Sequence, residues 1–454
     1  MPMADKTSLE DFSLKGLHLA KMTGVSTGVH AVKDAFLLMH TGVGCKYKAA
    51  AQIAQHDWGA HPNRRESWTQ VGEVSLIRGS GARIGPFARS WYERRRPGFM
   101  VVVSAYFIEL TGEDISDLVT DTERSLPCPM AVIRTAAPNG GFFEGYMEVM
   151  YRMAETLDWK TPATNPKTVT VMGNFFHRYE PDQAADVAQV NALVEVAGLT
   201  PGPVWFSGCS WEELSTSNTN GILATLPYTR VLRRKFKKLA RKREHVELNL
   251  PMGFGGTRRF VTQLTEQTGG DVTAVQRWCD AQVEAVAPHL GPLTQGFGGV
   301  RVAVFADTPY AIGLVTVLRE LGLQVPLVGL RDDVLGGKAV FYDEVGKNGA
   351  SLAEDCTVLL RPSLRQMRSL LLERVASRDI HAVIGSSIEL DVLSRARTVK
   401  GSMQGVALLE AGFPTKHHHA TLPLPTFGYT GVLVWAQRIV RAVLEPRVGA
   451  QPGA

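Results

Sequence analysis

Three stretches of the chain repeat one arrangement of apolar and polar positions. Each opens with a β-branched apolar run, passes a glycine-rich or polar turn, and continues at helical period until a glycine precedes the next apolar run. In the middle of the chain the run is Thr168-Val169-Thr170-Val171-Met172-Gly173-Asn174, and the spacing predicts a helix over Asp182–Ala197 that stops at Gly198. Later come Val300-Arg301-Val302-Ala303-Val304-Phe305-Ala306-Asp307, a helix to Gly322 and a strand at Val325–Val328. The first copy has a strand at Gly98–Ser104 directly before a helix-opening stretch, Ala105–Val119, and a further helix is predicted upstream over Val29–Leu38. A last helix is predicted over Val432–Leu444. Alternation of this kind predicts an α/β fold of three doubly wound Rossmann-like domains, each a parallel sheet flanked by helices. Proline and glycine cluster at Thr161–Pro166 and Gly291–Gly299. Taken as linkers, they divide the chain into an N-terminal α/β domain (1–160), a middle α/β domain (161–297) and a C-terminal α/β domain with a helical tail (298–454).

Composition supports a chain with real cores, since 44% hydrophobic and 20% charged residues match ordinary soluble usage. No stretch approaches 18 uninterrupted apolar residues, and Met1–Lys15 has no apolar signal-peptide core, so the expected location is the cytoplasm, away from membranes. The formal charge of +5 conceals nine Lys and Arg residues between Arg230 and Arg243. No recognised nucleic-acid fold accompanies them, and they read as a solvated basic helix face or a patch steering an acidic partner.

The five cysteines, Cys45, Cys128, Cys209, Cys279 and Cys356, lie far apart with no CxxC pair. That spacing argues against a disulfide framework and a self-contained zinc site; a metal bound here needs ligands from another chain. The most informative local piece is His40-Thr41-Gly42-Val43-Gly44-Cys45. Two glycines within three residues let the backbone approach a bulky inorganic group, and the cysteine at the end of the turn can present a thiolate to iron. An ordinary buried cysteine fits the same pattern. Cys209, in Phe206-Ser207-Gly208-Cys209, offers a second thiolate, though a structural cysteine at a strand end is the favoured reading. His417, His418 and His419 cannot all face one ion on regular structure, because neighbouring side chains diverge; they read as a polar loop against a partner.

Taken in order, the motifs resemble those of the nitrogenase MoFe-protein (component 1) family. His40–Cys45 resembles its cluster-binding turn, with Gly24 at an upstream glycine of the family. Val103–Asp114 resembles a strand-then-helix segment ending in an acidic pair, and Pro251-Met252-Gly253-Phe254-Gly255-Gly256-Thr257 looks like the Pro-x-Gly-x-x-Gly-Thr turn. Gly412–His419 and Phe427–Gly431 resemble the C-terminal histidine-rich and Gly-Tyr-x-Gly segments. The departures are as informative: two positions that carry cluster cysteines in nitrogenase subunits are Ala20 and Tyr106 here, which leaves Cys45. Pro227 falls near the place of the cysteine that holds the active-site cofactor in α-type subunits, so no cofactor is expected inside this chain.

The resemblance implies a β-type subunit of a nitrogenase-like reductase, an α2β2 heterotetramer with an α/D-type partner. A separate iron protein, the one component that uses ATP, would deliver electrons. Cys45 would ligate an iron–sulfur cluster at the subunit interface, [4Fe-4S] or P-cluster-like [8Fe-7S]. Gly24, Gly42, Gly44, Tyr106 and Glu109 would shape its pocket, with Tyr106 filling the space of a missing thiolate. No catalytic residue is assigned, because the substrate site would lie mainly in the partner. Reductive C–S cleavage of small methylthio-alkanes ranks first: the chain keeps the histidine segment, lacks most cluster cysteines and lacks the longer C-terminal region usual in tetrapyrrole reductases. A tetrapyrrole (chlorophyllide-type) reductase subunit comes next and dinitrogen reduction third, because the missing cysteines speak against an ordinary P-cluster; a non-catalytic cofactor-assembly scaffold and a plain α/β sugar- or nucleotide-binding protein stay open.

Overall fold

A computed structural model describes residues 20–47, 65–135, 140–239, 241–397 and 406–443. The described chain divides into two compact units: residues 20–183 with 199–247, and residues 184–198 with 248–443. The first unit holds two sheets. One is built from β1 (Ala35–His40), β2 (Glu66–Trp68), β3 (Phe99–Ser104) and β4 (Met130–Arg134) in the order β2-β1-β3-β4. The other contains β5 (Asn165–Met172), β6 (Thr200–Val204), β7 (Asn220–Thr225) and β8 (Glu244–Glu247) in the order β6-β5-β7-β8. The second unit holds β9 (Arg301–Ala306), β10 (Gln324–Leu330), β11 (Thr357–Leu360), β12 (Ala382–Gly385) and β13 (Ala407–Glu410) in the order β11-β10-β9-β12-β13. Every pairing between these strands is parallel. The α/β fold with three helix-flanked parallel sheets is therefore as the sequence predicts.

Two local expectations are corrected. The predicted helix over Val29–Leu38 is two elements: a helix at Lys21–His30 and, after a turn, β1. All six residues of Ala-Phe-Leu-Leu-Met-His in β1 are buried, because helices cover both faces of a parallel sheet. A strand of that kind has no alternation, and its apolar run is easily joined to a preceding helical pattern. Likewise the stretch Ala105–Val119 is a single turn of helix, Tyr106–Glu109, and a separate helix, Ser116–Arg124, divided at Gly112 with φ +78°. The expected linker at Gly291–Gly299 is partly helical, since the helix Val272–Thr294 runs into it and a 3-10 turn, Gln295–Phe297, follows.

The helix that leads into β1 is fixed by glycine. Lys21–His30 packs on Phe142–Glu155, and a Cβ on Gly24 would overlap the carbonyl oxygen of Phe142, while one on Gly145 would overlap that of Lys21. The two backbones approach so closely because neither glycine carries a side chain. A largely buried pair, Lys21 Nζ to Glu148 Oε2 at 2.7 Å, closes the same contact.

In the second unit, the glycine turn Pro251–Thr257 opens the helix Gly253–Gln267. Its first N–H groups are already bound, since Phe254 N and Gly255 N each donate to the Glu320 carboxylate at 2.7 Å. Burial pushes that carboxyl up to about 7.

Candidate metal centre

The site begins where β1 ends. After His40 the chain turns through Thr41 and Gly42 into a helical turn at residues 43–47, and Cys45 on that turn is exposed. Thr69 N and Val71 N donate to the carbonyls of Met39 and Thr41, both at 3.0 Å, and Lys46 Nζ lies 4.5 Å from the centre of the Trp68 ring. The turn is thus held against the chain that follows β2. A Cβ on Gly42 would come within 3.2 Å of the Val71 carbonyl oxygen, whereas one on Gly44 would meet nothing within 4 Å. Gly44 leaves open space beside Cys45 in the chain, and Gly42 allows a close backbone approach.

Tyr106 and Glu109 stand on the helical turn after β3. The Glu109 carboxylate faces its own domain: it accepts from the Ser104 hydroxyl and, at 2.6 Å, from Thr135 N, joining the ends of β3 and β4. Ala105 N donates to the His40 carbonyl at 3.1 Å, which ties the Tyr106 turn to the Cys45 turn. Tyr106 points outward and is 54% exposed. Gly24, the remaining predicted pocket residue, lies in the helix contact described above.

Underneath these loops, Val71, Ala105 and Ile108 form a small core with Met22, Leu76 and Phe107 packed on it. Above it, the same segments present Val43, Tyr47, Val74, Ile77, Tyr106 and Leu110 to solvent, with Ile77 87% exposed. Exposed large apolar side chains on neighbouring loops are of the kind found at contact surfaces.

The other four cysteines differ in kind. Burial pushes the Cys128 thiol up to about 12 and Cys356 to about 11, and it raises Cys209 and Cys279 as well, so all four are thiols at neutral pH. Cys209 Sγ lies 3.1 Å from Ser207 Oγ and 3.6 Å from the Val204 carbonyl, the setting of a structural cysteine. Among the described residues no group of three or more His, Cys, Asp or Glu is arranged to hold a metal ion.

The histidine run is organised from beneath. Glu410, at the end of β13, accepts the backbone N–H groups of Lys416, His417 and His418 at 3.0, 2.8 and 2.6 Å, and His417 Nε2 reaches Asp391 at 3.4 Å. Pro227 is buried at the start of a 3-10 turn, beside Tyr228, which stacks on Phe175 with ring centres 4.4 Å apart. In the basic run, Arg233 and Lys237 share Glu247, and Lys235 sits over the Tyr151 ring. At the crevice between β9 and β12, where strand order reverses and doubly wound folds bind ligands, the helix starts are filled by the chain's own carboxylates. Asp332 accepts from Thr308 N at 2.7 Å and Glu389 from Ser386 N at 2.8 Å.

One set of residues escaped sequence reasoning. His40 is wholly buried, with Nδ1 2.8 Å from Thr69 Oγ1 and Nε2 2.9 Å from Ser80 Oγ, and Ser80 Oγ donates to Glu113 at 2.6 Å. Thr69 and Ser80 sit 29 and 40 residues from His40 and carry no local signal.

The described residues thus carry three parallel sheets, with an exposed thiol just past the carboxyl end of β1. The solved structure of nitrogenase Cp1 at pH 6.5 shares this fold, with a TM-score of 0.74 and 16% identity over 96% of this chain and 94% of that one. A family model described as nitrogenase component 1 type oxidoreductase matches residues 20–444, and the chain belongs to that family. It is 27% identical to one of the polypeptides of light-independent protochlorophyllide reductase from Heliobacterium modesticaldum over 60% of this chain, a match spanning 54% of that protein's length. It is 23% identical to the nitrogenase molybdenum-iron protein beta chain of Azotobacter vinelandii, over 77% of this chain and 69% of the other. No described helix is long and apolar enough to cross a membrane.

Proposed function

We propose that this chain is the β-type subunit of a nitrogenase-like reductase and that Cys45 supplies one thiolate to an iron–sulfur cluster shared with an α-type partner in an α2β2 complex. The observation that carries this reading is the exposure of Cys45 on a glycine turn whose adjoining segments present an apolar surface. The residues fit such a group: Cys45 would ligate it, Gly44 leaves open space beside it, and Val43, Tyr47, Tyr106 and Leu110 would exclude water once a partner covers them. When bound, such a cluster supplies one-electron chemistry, fed by a separate ATP-dependent iron protein. One thiolate per chain suits a four-iron cluster with three ligands from the partner; an eight-iron cluster would need further ligands. A nucleotide-binding role is disfavoured by the carboxylates of Asp332 and Glu389 at the helix starts.

For the substrate, we favour reductive C–S cleavage of small methylthio-alkanes, on the lone cluster cysteine together with the ordered His417–His419 segment. The similarity to a polypeptide of protochlorophyllide reductase supports a role in tetrapyrrole reduction as the second reading. The test is anaerobic co-purification with the α-type partner, then iron and sulfide quantitation and electron paramagnetic resonance. Cys45→Ala is expected to lose the cluster; unchanged iron content and activity would refute the assignment. Supplied with the iron protein, ATP and a reductant, the complex is expected to split a methyl thioether into a thiol and a hydrocarbon. Turnover of a tetrapyrrole instead would favour the second reading, and a complex that turns over neither would favour an assembly scaffold.

A further inference from the structure

His40, Thr69 and Ser80 are all fully buried, so the proton positions among them follow from counting donors. Burial alone would raise the Glu113 carboxyl, but the Ser80 hydroxyl and the N–H groups of Gly81 and Ser80 hold it below the usual carboxylate range. It is therefore an ionised acceptor at neutral pH. Ser80 has one hydroxyl proton and donates it to Glu113, so its oxygen is left to accept from His40 Nε2–H. Burial also pushes the His40 imidazole down to about 4, against the attraction of Glu113 and with a contribution from Arg83, so the ring is neutral. Its Nδ1 then accepts from the Thr69 hydroxyl. The hydrogen bonds run in one direction, from Thr69 through His40 and Ser80 to Glu113.

The members of this chain stand at the roots of the loops that form the site. His40 begins the Cys45 turn, Thr69 follows β2, Ser80 follows the helix Glu73–Arg78 that bears Val74 and Ile77, and Glu113 follows the turn that bears Tyr106 and Leu110. We propose that His40 is the positioning residue of the Cys45 turn: its Nε2–H tautomer, fixed by Ser80 and Glu113, locks the three exposed loops in one register. The inference deepens the reading of Cys45 as a ligand and rests on it for its functional meaning.

The experiment uses the full chain at pH 7. Imidazole 15N NMR of the histidine-labelled protein, with the His40 signal identified by its loss in His40→Gln, is expected to show a neutral ring protonated at Nε2. An imidazolium or an Nδ1–H ring would overturn the proposal. Hydrogen–deuterium exchange is read at the amides of Thr69, Val71 and Ala105, which donate to the carbonyls of Met39, Thr41 and His40. His40→Leu is expected to speed their exchange about tenfold, the scale of one lost hydrogen bond, with no change in the helix Phe142–Glu155 as a control for folding. His40→Gln, whose amide reaches the Nε2 position, is expected to restore slow exchange, whereas His40→Asn is not. A His40→Gln protein as labile as His40→Leu, or a His40→Leu protein with unchanged exchange, would overturn the proposal. If Cys45→Ala keeps its iron in the complex while these exchange results hold, the ligand reading fails and the positioning of the turn stands.

Discussion

The carbonyl oxygen of Phe142 occupies the space in which a side chain on Gly24 would have to lie, and Tyr146 N is only 2.9 Å from the same point. Both atoms are backbone, so neither can rotate away. Gly24→Ala is expected to force the two helices apart and to cost about 2–3 kcal/mol, the upper part of the range for overpacking a tight core. Gly44→Ala, with nothing within 4 Å of the added methyl, should leave stability unchanged. Urea unfolding midpoints of the two variants check the contrast.

His40 makes folding stability pH-dependent in a defined window. Its folded-state value of about 4 lies below the ordinary 6.5, so the unfolded chain binds the extra proton between these pH values. Stability from this group is complete above pH 6.5 and is lost as pH falls towards 4, by an amount of order 3 kcal/mol. In His40→Gln the acid-side slope of stability against pH should flatten, as measured by denaturant titrations at pH 4.5, 5.5 and 6.5.

Glu320 acts in the opposite sense. With its carboxyl raised to about 7 by burial, the folded chain holds the proton more tightly than the unfolded one. Its contribution is complete below the ordinary 4.5 and is lost as pH rises through 7. Glu320→Gln should remove this alkaline-side loss while keeping one acceptor for the turn. Glu320→Ala leaves the N–H groups of Phe254 and Gly255 without their acceptor and is expected to cost about 1–3 kcal/mol at pH 6.

The apolar surface around the Cys45 turn separates folding from association. Ile77 is 87% exposed, so Ile77→Asp should shift the stability of the isolated chain by less than about 0.5 kcal/mol. If the surface meets the α-type partner, the same change should weaken the complex at least about tenfold, because a charge is then buried against apolar groups. Calorimetric titration of the two purified subunits reads association, and urea unfolding of the isolated chain reads stability.

How much of this was legible in the sequence depended on how local the determinant was. The run Val300–Asp307 announced β9 because a β-branched stretch and its following helix are neighbours in the chain. The Lys21–His30 helix and β1 were merged because a strand buried on both faces shows no alternation. Cys45 and its glycines stood out as a compact motif, and resemblance supplied the reason to notice Tyr106. The partners of His40 did not, since Thr69, Ser80 and Glu113 meet it only after three loops have converged. Gly24 was noticed as a pocket residue, yet its neighbours, Phe142 and Tyr146, are more than a hundred positions away and show its place in a helix contact.

A solitary sulfur on an open turn also has a bearing on how such a protein is made. On the proposed reading, the partner's ligands complete the cluster, since among the described residues no group of three or more His, Cys, Asp or Glu is arranged to hold a metal ion. On that reading, sensitivity to oxygen belongs to the assembled complex, where the metal sits between two polypeptides.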